Sequence, residues 1–564
     1  MKYLIGVVAG KRLTLVFLML ILGVFDGWAQ KEEEKGLNAI TESAVKGQLE
    51  FLASDWTEGR EVGTRGAYMA ADYIASMFKV YGIEPYGDVE QKIPTQLQRI
   101  AGMGSSEETT YFQNFSLMEY SPGEEHLLSI ISTGEDRESS ADFNYMTDFN
   151  VVPGTVGRSG KAPMVFAGYG YKDNKGTYDD LKEIDVRGKI VVILAGYPGQ
   201  NFPESEAYRK YVPVGRYAEY FHQRIKIERL VKAGAVAIIQ VETRKDPMLE
   251  WAQNNIYPVK GDYYEADERL SDYYDTQMAL PGDTLTFDIP IFTVSARVAG
   301  EIFSGSGIYI NNFEASVAAT MQPASKILSG KAASYKTTVN SKIVKARNVV
   351  GMIEGVNKDE YIVVGGHYDH VGKWNGWIWN GADDNASGTV GVMTIAKAFM
   401  ATGKKPEKTV IFAAWTGEEK GLWGSRYFVK NAMKENKNIV LKLNYDMIGR
   451  DSDIDTLKNK ATMTYTKDYS GIEEVTKKNI QKYGLNLDLN YRASKDPSGG
   501  SDHAPFAQAG IPVFYFMAAM HPDYHLPSDE LDKINWEKMV NIIKIGFLNT
   551  WNFANSNEHL VNKD

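Results

Sequence analysis

Four runs of nearly unbroken apolar residues constrain this chain more than anything else in it: YIVVGG (361–366), TVIFAAW (409–415), IVLKLNY (439–445) and IPVFYFM (511–517). A strand with one face in water alternates polar and apolar residues, whereas a strand covered on both faces reads apolar throughout, as in parallel sheets. Stretches with helical spacing lie between the runs, TVGVMTIAKAFMATG (389–403) being the clearest. The alternation predicts an α/β fold with a mostly parallel, doubly wound sheet and helices on both faces.

The rest of the chain has a different texture. At 564 residues it is too long for one core. Two amphipathic helices are expected near the start, one in ITESAVKGQLEFLASD with Thr41 as its cap, the other in RGAYMAADYIASMFKVYG with Gly82 as its stop. From about residue 141 to 329 come short β-branched runs between glycines, APMVFAGYGY, GKIVVILAG and GAVAIIQVE, then IPIFTVSARVAGEIF. These predict a separate β-rich α/β unit, with a polar, aromatic-rich excursion over 251–274. The expected organisation is therefore a leader (1–29), an N-terminal part of the main domain (30–140), an inserted unit (141–329) and the remainder of the main domain (330–564). The leader rests on Lys2, Lys11 and Arg12 ahead of LTLVFLMLILGVF, a run too short to span a bilayer comfortably, with Ala29 at a plausible cleavage point. It implies an exported protein, periplasmic or secreted, with no stable membrane insertion. The chain has no cysteine, so no disulfide framework or lipid-modified cysteine supports it. A net charge of −10 with no basic tract argues against nucleic acid as a partner.

In an open parallel sheet ligands bind beyond the carboxyl ends of the strands. The first run is followed by His367, Tyr368, Asp369 and His370, the second by Glu418 and Glu419, the third by Asp446, and the fourth by a loop carrying His521, Tyr524 and His525. GADDNASGT, with Asp383 and Asp384, stands between the first strand and its helix. Singly, each is an ordinary surface feature, and GADDNASGT alone reads as a turn. Five groups at one sheet edge, in a chain with only eight histidines, point instead to metal binding. Imidazole and carboxylate without thiolate suit zinc, with cobalt or manganese as substitutes. Such a set is large enough for two metals and hydrolytic chemistry.

The motifs HYDH, GADDNASG, TGEEKGLWGS, NYDMIG and YHLPSDELDKI, with FLASDWTEGREVGTRG upstream, resemble in order and spacing the co-catalytic di-zinc exopeptidases, which include secreted bacterial aminopeptidases and glutamate carboxypeptidase. The middle unit resembles the protease-associated domain inserted in many of them. The resemblance implies two zinc ions, one on His367 and Asp446, the other on Glu419 and His525, bridged by Asp383. It implies that Asp369 holds the second ring nitrogen of His367. Glu418 would be the general base and Tyr524 an oxyanion donor. Asp384 would shape the backbone beside the bridging residue, where the family often has unusual peptide geometry. His525 is preferred to His521 because YH followed by PSD fits the motif, and His370 and His503 are given supporting roles.

The expected activity is aminopeptidase cleavage of peptides. A carboxypeptidase or dipeptidase on the same site would need a basic cluster, and Arg450, Arg492 and Lys495 are too scattered in sequence to make one. A single-zinc glutaminyl cyclase would lack NASG and the insert, and a receptor-like relative would lack the ligands. The insert is expected to limit entry to short or unfolded peptides.

Overall fold

The computed structural model describes residues 32–556 apart from 135–136, 153, 155, 174, 214–217, 244–275, 284–288, 453–454, 470 and 498. The leader and the aromatic-rich excursion lie outside the described residues. Two compact units result, one built from Met1–Phe115 and Lys345–Asp564, the other from Ser116–Val344. These bounds lie outward of 141 and inward of the catalytic restart expected at 330. The strands Leu127–Thr133, Glu138–Phe143 and Lys326–Thr337 belong to the second unit's sheet, and their mixed polar sequences do not announce a sheet.

Near the start of the first unit, after a helical stretch over 32–38, come α1 (Glu42–Leu52) and α2 (Arg65–Tyr81). The Thr41 hydroxyl accepts the Ala44 N–H, and Gly82 takes a left-handed conformation at φ 81°, open to glycine without steric cost. The sheet then forms from β1 (Val339–Ile353), β2 (Asn357–His367), β3 (Lys408–Trp415), β4 (Asn438–Tyr445), β5 (Lys460–Thr466), β6 (Asp488–Ser494) and β7 (Val513–Met517). Their order is β1-β3-β2-β4-β7-β5-β6. The four central strands, β3, β2, β4 and β7, run parallel, while β1 and β5 pair antiparallel to the neighbours that flank this core. The central four are the runs read from the sequence, and β3 is buried along its whole length.

Helix α3 (Gly388–Thr402) follows β2, and α4 (Trp423–Lys434), α5 (Gly471–Tyr483) and α6 (Trp536–Asn555) complete the layers. A helix apolar all round must be buried, and α3 is, with Phe399 packed edge-on against Phe547 and Trp551 of α6. One core lies on the face of α1, α2, α3 and α6; a smaller one lies on the face of α4 around Trp415 and Phe428.

The second unit holds an eight-stranded sheet in which Arg158–Phe166, Ile190–Leu194, Ala237–Val241 and Ile291–Val294 run parallel. Cores cover both of its faces.

Candidate metal centre

Each candidate side chain sits where a central strand ends. His367 is the last residue of β2, in register with Trp415 at the end of β3. Glu418 and Glu419 follow β3 by a short turn, Asp446 follows β4, and His525 lies on the loop after β7. Because neighbouring parallel strands end level, four sequence-distant segments deliver their polar groups to one place.

The turn Ala382–Ser387 places its two aspartates oppositely. Asp384 is in the cluster: its Oδ1 lies 3.6 Å from His367 Nε2 and its Oδ2 lies 3.1 Å from His525 Nε2. Asp446 Oδ1 is 3.5 Å from the same His367 nitrogen, and Glu419 Oε2 is 3.0 Å from the same His525 nitrogen. Two donor groups therefore share one carboxylate, His367, Asp384 and Asp446 on one side, Asp384, Glu419 and His525 with His370 on the other. The carboxylate between the groups is that of Asp384, a correction to the expectation for Asp383. Asp383 Oδ1 accepts the Gly449 N–H at 2.6 Å and its Oδ2 lies 3.3 Å from His521 Nε2. Both main-chain N–H groups, of Asp383 and Asp384, donate to the buried Asp529 carboxylate, which pins the turn so that successive side chains diverge. The Asp384–Asn385 peptide bond is cis.

A second correction concerns Asp369. The ring Nδ1 of His367 bonds the main-chain carbonyl of Asp369 at 3.1 Å, with the carboxylate 3.8 Å away. That carboxylate instead accepts the N–H groups of Glu418 and Glu419, at 3.2 and 3.4 Å. A carbonyl can only accept, so neutral His367 carries its hydrogen on Nδ1 and presents the Nε2 lone pair to the cluster. Glu418 Oε2 is 3.8 Å from that nitrogen. Tyr524 stacks on the His525 ring at 3.9 Å between centroids. Among the described residues, His521 is in none of the metal groups.

Further support comes from residues to which the sequence reading gave no part in holding a metal. Arg60 is wholly buried and donates only to main-chain carbonyls among its recorded bonds, those of Leu52, Tyr368, Asn380 and Gly381. Asn385 ties the turn to the end of β4 through the Tyr445 carbonyl and the Met447 N–H. A Cβ on Gly388 would lie 2.3 Å from the Asn385 side chain and 2.7 Å from the Tyr445 carbonyl, so only glycine admits this approach. The Ser501 hydroxyl, bonded by Asn444 at 2.9 Å, also bonds Asp446. The PSD motif carried Asp529 in plain view, but nothing in sequence told its side chain from other turn aspartates.

The electrostatics call for cations. Four carboxylates, Asp384 and Asp446 buried and Glu418 and Glu419 partly so, face three imidazoles, and burying charge without compensation is strongly unfavourable. Burial opposes protonation of His367, yet Glu418, Asp446 and Asp384 outweigh it and hold its pKa well above the ordinary value. Burial, with Glu419 and Asp446 nearby, pushes Glu418 well up, and burial carries Asp446 to about 6. A buried imidazole nitrogen facing Asp384, Glu418 and Asp446 is one where a metal ion competes with a proton. The donor set fits a pair of borderline divalent ions.

Residues 348–547 match the model of "Peptidase family M28". A Caenorhabditis elegans protein named glutamate carboxypeptidase 2 homolog is 26% identical over 398 residues, covering 61% of this chain and 47% of that protein. The leupeptin-inactivating enzyme 1 of Streptomyces exfoliatus is 33% identical over 186 residues, covering 32% and 39% respectively. The chain thus spans less than half the length of these curated relatives. Among solved structures, an aminopeptidase from Aneurinibacillus sp. strain AM-1 shares the fold, with a TM-score of 0.53 at 19% identity over 94% of this chain and 98% of that one.

Proposed function

We propose that this chain, whose residues 348–547 form a peptidase family M28 domain, is a di-zinc exopeptidase that releases N-terminal residues from peptides. The observation that carries the reading is Asp384 shared between two donor groups, with Glu418 beside one of them. His367, Asp384 and Asp446 would hold one ion, and Asp384, Glu419 and His525 the other. When bound, the two ions acidify water and polarise the scissile carbonyl.

The chain's own residues do the rest. Glu418 takes a proton from the attacking water and returns it to the leaving amine, the work of a positioned general base. Asp369 fixes both glutamates through their main-chain N–H groups, so base and ligand keep one spacing. Tyr524, held flat against His525, donates to the developing oxyanion.

The surplus of carboxylates favours a substrate that brings a free α-ammonium group. A carboxypeptidase would need a basic clamp, and the guanidinium of Arg450 is engaged by Asp523 at 2.6 Å with Asp529 at 3.6 Å. Arg492 and Lys495 stand on and after the far edge strand β6, exposed. We read unit 116–344 as the protease-associated insert, supported by its own sheet and cores, and the protein as exported, supported by the leader's sequence.

Hydrolysis of aminoacyl-nitroanilides and of N-blocked peptides, before and after chelation and zinc readdition, tests the reading. Zinc-restored cleavage of free-amine substrates alone is expected. Cleavage of blocked peptides alone would turn the assignment to a carboxypeptidase, and activity untouched by chelation would overturn the metal mechanism.

A further inference from the structure

We infer that His370 is a fourth protein ligand of the ion held by Asp384, Glu419 and His525. The inference rests on the two-metal reading above and adds a residue to it.

His370 Nδ1 lies 2.8 Å from Glu419 Oε1 and 3.9 Å from Asp384 Oδ2, while His525 Nε2 lies 3.0 Å from Glu419 Oε2 and 3.1 Å from Asp384 Oδ2. A tetrahedral zinc with bonds of about 2.0–2.2 Å sets its donors about 3.3–3.6 Å apart. Three of the four separations fall short of that value and one exceeds it, and Glu419 meets the two rings with different oxygens. One donor atom from each of the four residues nonetheless falls within 4.8 Å of all the others, so all four can reach one ion after small shifts.

The ring has no room to be elsewhere. His370 is wholly buried, and its main-chain N–H donates to the Arg60 carbonyl at 3.3 Å. Its ring lies against Gly381, at φ 53°, where an added Cβ would come within 2.5 Å of a ring carbon. Arg60 in turn grips the Gly381 carbonyl at 3.0 Å. The imidazole is thus clamped between two segments with Nδ1 directed at Glu419.

The other group is different. His367, Asp384 and Asp446 supply three donors and a single imidazole, and His367 also groups with Glu418 and Glu419, Glu418 Oε2 lying 3.8 Å from its Nε2. With His370 added, the group around Glu419 and His525 has two imidazoles and two carboxylates, and its ion is the one expected to be held more tightly.

The test uses the full chain loaded with two equivalents of a spin-active cadmium isotope and grown with nitrogen-labelled histidine. Scalar coupling passes through a metal–nitrogen bond, whereas a hydrogen bond from His370 to Glu419 would show none to the metal. Three coupled imidazoles are expected, with one lost in His370→Gln. Coupling to two imidazoles in the unsubstituted chain overturns the inference, and that spectrum needs no variant to fold. His370→Gln should also weaken the tighter of the two binding events at least ~10-fold in a zinc titration; unchanged affinity overturns it as well. An unsubstituted chain that binds one ion or none defeats the two-metal reading itself, a different result from two ions with two imidazoles.

Discussion

At the scale of single residues, adjacent side chains have opposite assignments here, and substitution should separate them. Glu418→Gln should keep both ions yet lose about 10²–10⁴-fold in turnover; metal analysis beside the rate measurement checks this, and loss of metal would mean that Glu418 is a ligand. Asp384→Asn should abolish binding of at least one ion, because its two oxygens face both histidines. Asp383→Asn should retain two ions and lose stability instead, since its carboxylate serves Gly449 and faces His521. Equal metal loss from both variants would contradict the geometry.

At the scale of elements, the site is held less by helices and strands than by the ties among their ends. Asp529, on the loop after β7, holds the turn before α3, and Asn385 in that turn holds the end of β4. Arg60, ahead of α2, joins the ends of α1 and β2 to the same turn. Burial lowers its pKa to about 10 despite the nearby charges of Asp384, Asp369, Asp529 and Glu419, so it stays cationic at neutral pH. Arg60→Met would strip four buried carbonyls of their donor, and at ~1.5–3 kcal/mol for each hydrogen bond to a charged group a loss of at least ~3 kcal/mol is expected. Chemical denaturation measures it; a loss under ~1 kcal/mol would show that the carbonyls find other partners.

At the scale of the whole molecule, the two units should answer differently to metal and to pH. A ligand that binds only the folded state stabilises by about 4 kcal/mol at a thousand times its dissociation constant. Chelation should therefore lower one calorimetric transition and leave the other in place; a uniform shift would mean that the units unfold together. Unit 116–344 carries its own titrating group. His222, stacked near Tyr171, is lowered to about 4 by burial and by the charge of Lys226. The unfolded chain takes up this proton first, so the stabilisation is present above about 6.5 and is lost as pH falls towards 4. His222→Phe should flatten the acid limb of that unit's denaturation curve between those values; an unchanged slope would remove His222 as its cause.

Read alone, the sequence determined the central strands, the helix caps at Thr41 and Gly82, and the convergence of His367, Glu418, Glu419, Asp446 and His525. All of these follow from periodicity and from the rule that parallel strands end level. The polar strands of the second unit were not legible, because their pairing depends on neighbours far along the chain. Nor could the sequence tell Asp383 from Asp384, whose composition and neighbours are nearly the same. Only the tertiary structure decided between them: Asp529, more than a hundred residues away, takes both N–H groups and so orients the turn. Direction is a property of the folded backbone, and with it came the roles of Asp384, the Asp369 carboxylate and His370.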